Sequence, residues 1–562
     1  MATTPETRRD EPPPGLDAPT VCAAFQTTAA ARPDAVALRT MDGAQEITWA
    51  QYAQRVRALA AGLAALGVSR GDTLALMLTN RPEFNLVDCA AMHLGATCFS
   101  AYNTSSPEQL NYLFADAGND VVVTEAAFAA HVEAARPGTA VGHVVVVDDG
   151  GLESLEALGA SGFDFEGAWR AIEPDDVLTL IYTSGTTGPP KGVQLTHANM
   201  MFELRALDEV ALLTPGGRIV SFLPAAHVAD RWSAHYTPMA YGATVTTCPD
   251  PREVMAAVAT SHPTVFGAVP RVWEKLKAAL EGQVGPDPSG LDPQVKAGVK
   301  AKLGLDEVEW FVSGAAPIPV EVLEFFMALD VPICELWGMS ETAAVATVNP
   351  REDIRIGTVG TALPGVEVRL AGDGEVLVRG ANVMKGYRNM PEKTAEALDA
   401  EGWLLTGDVG EMDADGYLRI IDRKKELIIN AAGKNMSPAN IESALKAASP
   451  LLGQVCVIGD RRPYNVALVV LDPDVAQAFA EANDLDAGAL GALSSTETLI
   501  AAVADAVRTA NERLSRVEQI KKFKILDEEW EPGGDELTPT MKLKRKPIAE
   551  KYRDEIEALY LD

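Results

Sequence analysis

The chain has 562 residues, 23% of them charged and 47% hydrophobic, and at roughly 150 residues per domain this predicts three or four lobes of ordinary globular composition. The net charge of −31 excludes nucleic acid as a partner, since its phosphates would be repelled. No run of about 18 apolar residues predicts a membrane span, and Cys22, Cys89, Cys98, Cys248, Cys334 and Cys456 include no C-x-x-C pair, so they are expected as free buried thiols in a reducing cytoplasm rather than a zinc or redox framework.

Residues 1–20 are polar and Pro-rich and read as a disordered tail, without the apolar core of a signal peptide. From Thr48 to Gly67 an Ala/Leu-rich pattern predicts a helix, capped by Thr48 and ended by Gly67. Short β runs at Thr73–Leu78, Ala96–Ala101, Val121–Thr124 and His143–Val147 then alternate with helical stretches at Glu83–Leu94, Pro107–Ala117 and Ala126–Ala135. That alternation predicts parallel sheets with helices on both faces. Val177–Tyr182 and Val193–His197 are two further β-prone segments. The alternation resumes with strands at Arg218–Leu223, Ala243–Thr247, Thr264–Val269, Glu309–Ser313 and Val331–Trp337, and residues 283–294 read as a surface loop. Between Gly357 and Ile421 the segments shorten and glycines multiply, which predicts a β-rich lobe. Past Asp422–Glu426 come a short strand, a helix at Pro438–Ala447, two strands able to pair (Val455–Ile458 and Val466–Leu471) and a long helix at Glu497–Leu514. The expected organisation is a tail (1–20), a large N-terminal α/β region of parallel-sheet subdomains with the β-rich lobe (21–421), a hinge (422–425) and a small mobile C-terminal α/β domain (426–562).

The most informative stretch is Tyr182-Thr183-Ser184-Gly185-Thr186-Thr187-Gly188-Pro189-Pro190-Lys191-Gly192. It links two predicted strands. Gly185, Gly188 and Gly192 let the backbone approach a ligand without Cβ clashes; Thr183, Ser184, Thr186 and Thr187 add hydroxyl donors, and Lys191 adds a cation. This inventory suits a polyanion such as a triphosphate. It is not a Walker A loop, because Lys191 follows two prolines and no helix opens at it.

Five more stretches recur with it: Ser313-Gly314-Ala315-Ala316-Pro317, Glu335-Leu336-Trp337-Gly338-Met339-Ser340-Glu341-Thr342, Thr406-Gly407-Asp408, Asp422-Arg423-Lys424-Lys425, and Thr538-Pro539-Thr540-Met541-Lys542-Leu543-Lys544-Arg545. Together they closely resemble the signatures of the adenylate-forming superfamily: acyl-CoA synthetases, nonribosomal-peptide adenylation domains and firefly luciferases. The resemblance covers about residues 20–560. It implies that Thr183 to Lys191 wrap the phosphates, that Gly314, Ala315 and Ala316 make room under the purine, and that Glu335 to Ser340 lie against adenine and phosphates with Trp337 flat on the ring. It further implies that Glu341 holds Mg²⁺, a hard cation that prefers oxygen ligands, and that Asp408 and Arg423 bind the ribose hydroxyls. Gly433 and Lys434 fall where relatives line the pantetheine path of CoA. A mobile lysine that bridges carboxylate and α-phosphate is expected in the tail motif. Many relatives place it after a glycine that is missing here; Lys542 and Lys544 compete, and spacing from Thr540 favours Lys544. Either Asp422 or Lys425 occupies the hinge.

His227 matches the family's position bordering the carboxylate pocket, with Trp232 close by; Arg231 stands where long-chain relatives can carry a gate tryptophan. Val269-Pro270-Arg271-Val272-Trp273-Glu274-Lys275, Gly459-Asp460-Arg461-Arg462-Pro463-Tyr464 and Leu514–Lys522 look like long-chain acyl-CoA synthetases. The resemblance therefore implies an ATP- and Mg²⁺-dependent, AMP-forming medium- or long-chain fatty acid–CoA ligase of the cytoplasm, with at most peripheral membrane contact. The alternatives are the same chemistry on an aryl, branched or sterol side-chain carboxylate, or a non-catalytic acyl- or nucleotide-binding protein. Chain length and oligomeric state are not legible.

Overall fold

A computed structural model describes residues 11–159, 162–183, 189–429, 435–485, 493–538 and 541–561. The largest sheet has seven strands. Thr73–Met77, Thr97–Ser100, Val121–Thr124, His143–Val146 and Val177–Thr183 run parallel, and Lys191–Thr196 and Gly386–Tyr387 add antiparallel strands at one edge. Its central strands are uninterrupted apolar or β-branched runs because helices cover both faces; Val121, Val122 and Val123 have no exposed surface at all. A second sheet sets Val265–Ala268, Trp310–Ser313 and Ile333–Trp337 in parallel, extended by two short antiparallel strands. A four-stranded antiparallel sheet (Glu367–Leu370, Glu375–Arg379, Leu404–Met412, Leu418–Arg423) is the predicted β-rich lobe.

The helix predicted after Thr48 spans Trp49–Ala65, with a reciprocal capping box between Thr48 and Gln51, and Gly67 follows its end at φ +97°. Two expectations need correction. Residues 13–20 are not a loose tail: the Gly15 N–H donates to Ala240 O at 2.9 Å, Leu16 is buried, and Thr20 caps the helix Val21–Ala31. The loop read at 283–294 gives way to a helix, Pro293–Leu303, which buries none of its residues and so carries no apolar stripe to announce it. Ile520–Ile525, inside a stretch quoted above only for its resemblance, is a strand parallel to Asn465–Leu471.

The residues past Ile428 have cores of their own. Leu452–Ile458 pairs antiparallel with Asn465–Leu471, and the helices Pro438–Ala448 and Glu497–Arg513 flank them. Leu499, Val503, Ala506, Val507 and Ala510 make the buried stripe of the longer helix, at helical spacing. The two hydrophobic clusters here contain no residue before Ile428. All six cysteines are free and buried. Among the described residues no helix is long and apolar enough to cross a membrane.

Candidate active site

The edge of the large sheet builds the first half of the site. Val177–Thr183 and Lys191–Thr196 are strands that pair antiparallel, with Thr183 opposite Lys191. Ser184, Gly185, Thr186, Thr187 and Gly188 lie outside the described residues, as do Gly433, Lys434, Pro539 and Thr540. The Thr183 hydroxyl donates to Lys191 O at 3.4 Å.

Lys191 is half-buried. Its Nζ lies 4.2 Å from the centroid of the Tyr387 ring and donates to Tyr387 Oη at 3.1 Å; that hydroxyl in turn donates to Glu341 Oε1 at 2.8 Å. Burial lowers the Lys191 pKa, and the Glu341 carboxylate acts against that shift. The chain Lys191–Tyr387–Glu341 thus joins the phosphate-loop strand to the acidic signature by one phenol. Tyr387 escaped the sequence reading. It sits on a two-residue strand, and only its pairing with Val193 brings it to the lysine.

Ile333–Trp337 leads the second sheet into the turn that carries Glu341. The Trp337 Nε1–H donates to Asp408 Oδ2 at 2.9 Å, and Arg423 Nε meets Asp408 Oδ1 at 2.7 Å. Asp408 and Arg423 face each other across adjacent strands of the antiparallel lobe. One buried carboxylate therefore fixes both an indole plane and a guanidinium. A Cβ on Gly338 would fall 2.2 Å from Ala344 O, so only glycine fits this turn. Gly314 packs against Leu336, where a Cβ would sit 2.6 Å from Cδ1. Ala315, at φ +71°, and Ala316 are exposed beside it, which leaves open space where the resemblance expects a purine. Met339 is partly buried and Ser340 buried in the same turn. These donors, the flat indole and the small-residue shelf fit a nucleotide, and Glu341 beside the phosphate-loop strand offers the oxygen ligand that Mg²⁺ requires.

Glu335, one residue before Leu336, is buried with Oε2 unpartnered, and burial pushes its carboxyl up to about 8. Its ordinary value is 4.5, so between about pH 4.5 and 8 the unfolded carboxyl is ionised and the folded one is not. Unfolding then releases a proton, and stability falls as pH rises through that window. Asp230, pushed up to about 7 by burial, acts the same way. The buried His93, His197 and His235 and the half-buried His227, all held below their ordinary value of 6.5 by desolvation, oppose this only below about pH 6.5. Urea unfolding is expected to show stability declining from about pH 6.5 to 8, with the slope flattened in Glu335→Gln.

On the other wall, His227 caps the short helix Val228–Asp230. Its Nδ1 accepts from the Ala229 N–H at 3.2 Å, which leaves Nε2 to carry the proton of the neutral ring. Burial, together with the Lys542 charge, pushes His227 down to about 4. Arg231 is no gate. It is fully buried, bonded to Asp88 at 2.6 Å, Ser100 Oγ at 3.0 Å, Tyr236 Oη at 3.1 Å and Ala225 O at 3.1 Å, while His235 takes the other oxygen of Asp88 at 2.9 Å. Trp232 is buried beside it.

The tail motif requires the clearest correction. Lys544, favoured on spacing, points away from the cleft: its Nζ donates to Gly534 O at 2.7 Å, and its residue caps the helix Arg545–Lys551. Lys542 faces the site instead, within electrostatic reach of Arg423, Asp408, Glu426, Glu341 and His227. Lys542 is exposed, and the protein atoms around its ammonium lower its pKa. Met541, just before it, has φ +64°, a left-handed position that favours glycine. Met541 thus holds a backbone position that suits glycine, and Lys542 follows it directly. Of the two hinge candidates, Asp422 is buried and accepts from Ser437 Oγ at 2.6 Å and the Ala439 N–H at 3.2 Å, whereas Lys425 is exposed.

Residues 25–388 match the AMP-binding enzyme family, and residues 425–562 match the AMP-binding enzyme C-terminal domain. The chain belongs to the AMP-binding enzyme family. Within this adenylate-forming family it is 51% identical over 439 residues to fadD11 of Mycobacterium tuberculosis (71% of this chain, 77% of that one). It is 36% identical over 568 residues to the long-chain-fatty-acid--CoA ligase FadD15 of the same organism (93% and 94%). Among solved structures it resembles ATP-bound MatB from Rhodopseudomonas palustris, with TM-score 0.75, 25% identity, and coverage of 95% of this chain and 99% of that one.

Proposed function

We propose that this AMP-binding enzyme joins a medium- or long-chain fatty acid to coenzyme A in two steps, consuming ATP and releasing AMP and pyrophosphate. The observation that carries this reading is the convergence on one cleft of Lys191, Glu341 and Asp408 from the N-terminal region, Arg423 from the hinge and Lys542 from the C-terminal lobe. The names of relatives such as FadD15 supply the substrate class.

In the first step a carboxylate oxygen attacks the α-phosphorus, and the bond to the departing pyrophosphate breaks. Charge accumulates on the leaving group and on the α-phosphate oxygens. Lys191 would neutralise the former, where Glu341 would hold Mg²⁺, and Lys542 would neutralise the latter. Asp408 and Arg423 hold the ribose, and Trp337 supplies a stacking face. His227 stays neutral, with Nε2–H as a donor for the substrate carboxylate, and is not needed as a base because the nucleophile is already ionised. In the second step the CoA sulfur attacks the acyl carbonyl and the bond to AMP breaks, leaving the thioester. Residues 430–435 line the thiol path in this reading. The lobe that begins at Glu426 is taken as the mobile unit, with residues 422–425 as its hinge. Six reduced, buried cysteines fit a cytoplasmic enzyme.

Tyr387 gives this reading a specific handle. Tyr387→Phe removes the bridge between Lys191 and Glu341, and hydrogen bonds to charged groups predict adenylation about 10- to 100-fold slower. Fatty-acid-dependent ATP–pyrophosphate exchange measures it. The functional reading itself is tested by AMP formation across acids from acetate to palmitate and a few aryl acids, with and without CoA. CoA-dependent turnover of C8–C18 acids supports it. Turnover of aryl acids alone moves the substrate, and ATP binding without turnover leaves a binding protein.

A further inference from the structure

The stretch Val269–Lys275 has no part in the cleft. It opens the helix Pro270–Val284, and its Trp273 is fully buried under the second sheet, with Nε1 donating to Val312 O at 3.3 Å and its ring edge-on to Phe266, Phe311 and Phe326. That anchoring leaves Arg271 and Lys275, one helical turn apart, on the outer face. Both meet carboxylates of the C-terminal lobe. Arg271 pairs with Asp472, and Lys275 Nζ lies 3.7 Å from Asp474 Oδ2. Glu274 steadies the guanidinium from its own helix at 3.3 Å.

Asp472 is only 7% exposed and divides its oxygens between two tasks. Oδ1 caps the helix Pro473–Ala482 by accepting from the Val475 N–H at 3.2 Å; Oδ2 receives Arg271. A carboxylate fixed by a helix N-terminus is pre-oriented, so the guanidinium meets a rigid acceptor rather than a floppy one. Among the described residues the lobes also meet elsewhere, at the Asp422 bonds to Ser437 and Ala439 and at two sites away from the cleft. Arg513 pairs with Glu321, and Gly533 sits so close to Thr104 that a Cβ would lie 2.8 Å from Oγ1. Neither the Arg271 and Lys275 pairs nor the Arg513 and Gly533 contacts touch the cleft, yet all lie on the lobe that carries Lys542.

We infer that Arg271 is a positioning residue: by clasping Asp472 it seats the C-terminal lobe so that Lys542 lies within electrostatic reach of Asp408, Arg423 and Glu341. The inference rests on the functional reading above. It separates two half-reactions, because adenylation uses Lys542 and attack of a thiol on a finished acyl-adenylate does not. Partly exposed ion pairs are individually modest, and other contacts between the lobes share the task, so loss of Arg271 is expected to slow adenylation about 3- to 10-fold rather than abolish it.

The test uses the full chain and two assays: palmitate-dependent ATP–pyrophosphate exchange, and palmitoyl-CoA formation from ready-made palmitoyl-adenylate plus CoA. Arg271→Ala and Asp472→Asn, which keeps a capping side chain, are each expected to slow exchange about 3- to 10-fold and to leave the thioester step at the wild-type rate. The double variant should be no slower than the slower single one, because both remove the same contact. Equal losses in both half-reactions, losses that multiply in the double variant, or unchanged exchange would overturn the inference. Wild-type protein inert in both assays would overturn the functional reading instead, and this inference with it.

Discussion

Lys542→Ala is expected to slow adenylation by about 10²- to 10³-fold, the usual loss when one preorganised donor to developing negative charge is removed, while Lys544→Ala stays within about twofold of wild type. The difference follows from one turn. Thr538 and Lys542 close it: the Thr538 N–H donates to Lys542 O at 2.8 Å, and the Lys542 N–H donates to Thr538 Oγ1 at 3.0 Å, with Met541 in the left-handed region between them. The turn throws Lys542 into the cleft and returns the chain so that the next residues pair back, Leu537 against Leu543. Lys544 then begins a helix and gives its ammonium to Gly534 O. Arg545 clamps the segment from behind, with two bonds to Glu442 at 2.6 and 2.8 Å. ATP binding should survive in Lys542→Ala, because Lys191, Asp408 and Arg423 are untouched. Pyrophosphate exchange and nucleotide binding measured on the same preparations check both halves. Lys544→Ala matching the loss of Lys542→Ala would reverse the assignment.

Asp408→Ala carries the second large effect, through nucleotide affinity rather than through the chemical step. The carboxylate is 7% exposed and has one partner on each oxygen, Trp337 at 2.9 Å and Arg423 at 2.7 Å. Its loss leaves a buried indole N–H without an acceptor and frees the guanidinium from its place beside the ribose. It also removes the only group placed to accept from both ribose hydroxyls in this reading. Lost hydrogen bonds to a charged group predict KM for ATP about 10- to 100-fold higher, with a smaller fall in kcat. Steady-state kinetics with ATP varied at saturating acid give the split. A fall in kcat with KM unchanged would mean that Asp408 acts in the chemical step and not in holding the nucleotide.

Much of this site was legible in the sequence because its parts are local. The strand-loop-strand around residues 177–196, the turn at Glu341 and the Asp408–Arg423 lobe are each written in contiguous residues, and hydrophobic runs and glycines mark their edges. Trp337, expected against adenine on resemblance alone, has its indole edge fixed by Asp408, 71 residues away, and no local pattern announces that bond. Tyr387 went unread for the same reason: it reaches Lys191 only through a sheet edge formed 196 residues later in the chain. The choice between Lys542 and Lys544 depended on a backbone angle at Met541, and a methionine in a position that suits glycine hides that angle from composition. The helix Pro293–Leu303 was missed because a helix that buries nothing has no apolar stripe. Arg231 was compared with a gate residue because sequence position alone does not reveal Asp88, 143 residues away, as its partner.

The most direct measurement mixes the protein with palmitate, ATP and Mg²⁺ without CoA, quenches, and looks for palmitoyl-adenylate by mass spectrometry; CoA is then added to a parallel sample. The account predicts enzyme-bound palmitoyl-adenylate and pyrophosphate in the first sample, and palmitoyl-CoA with AMP in the second. ADP and phosphate as products, or palmitoyl-CoA formed with no adenylate preceding it, would contradict it.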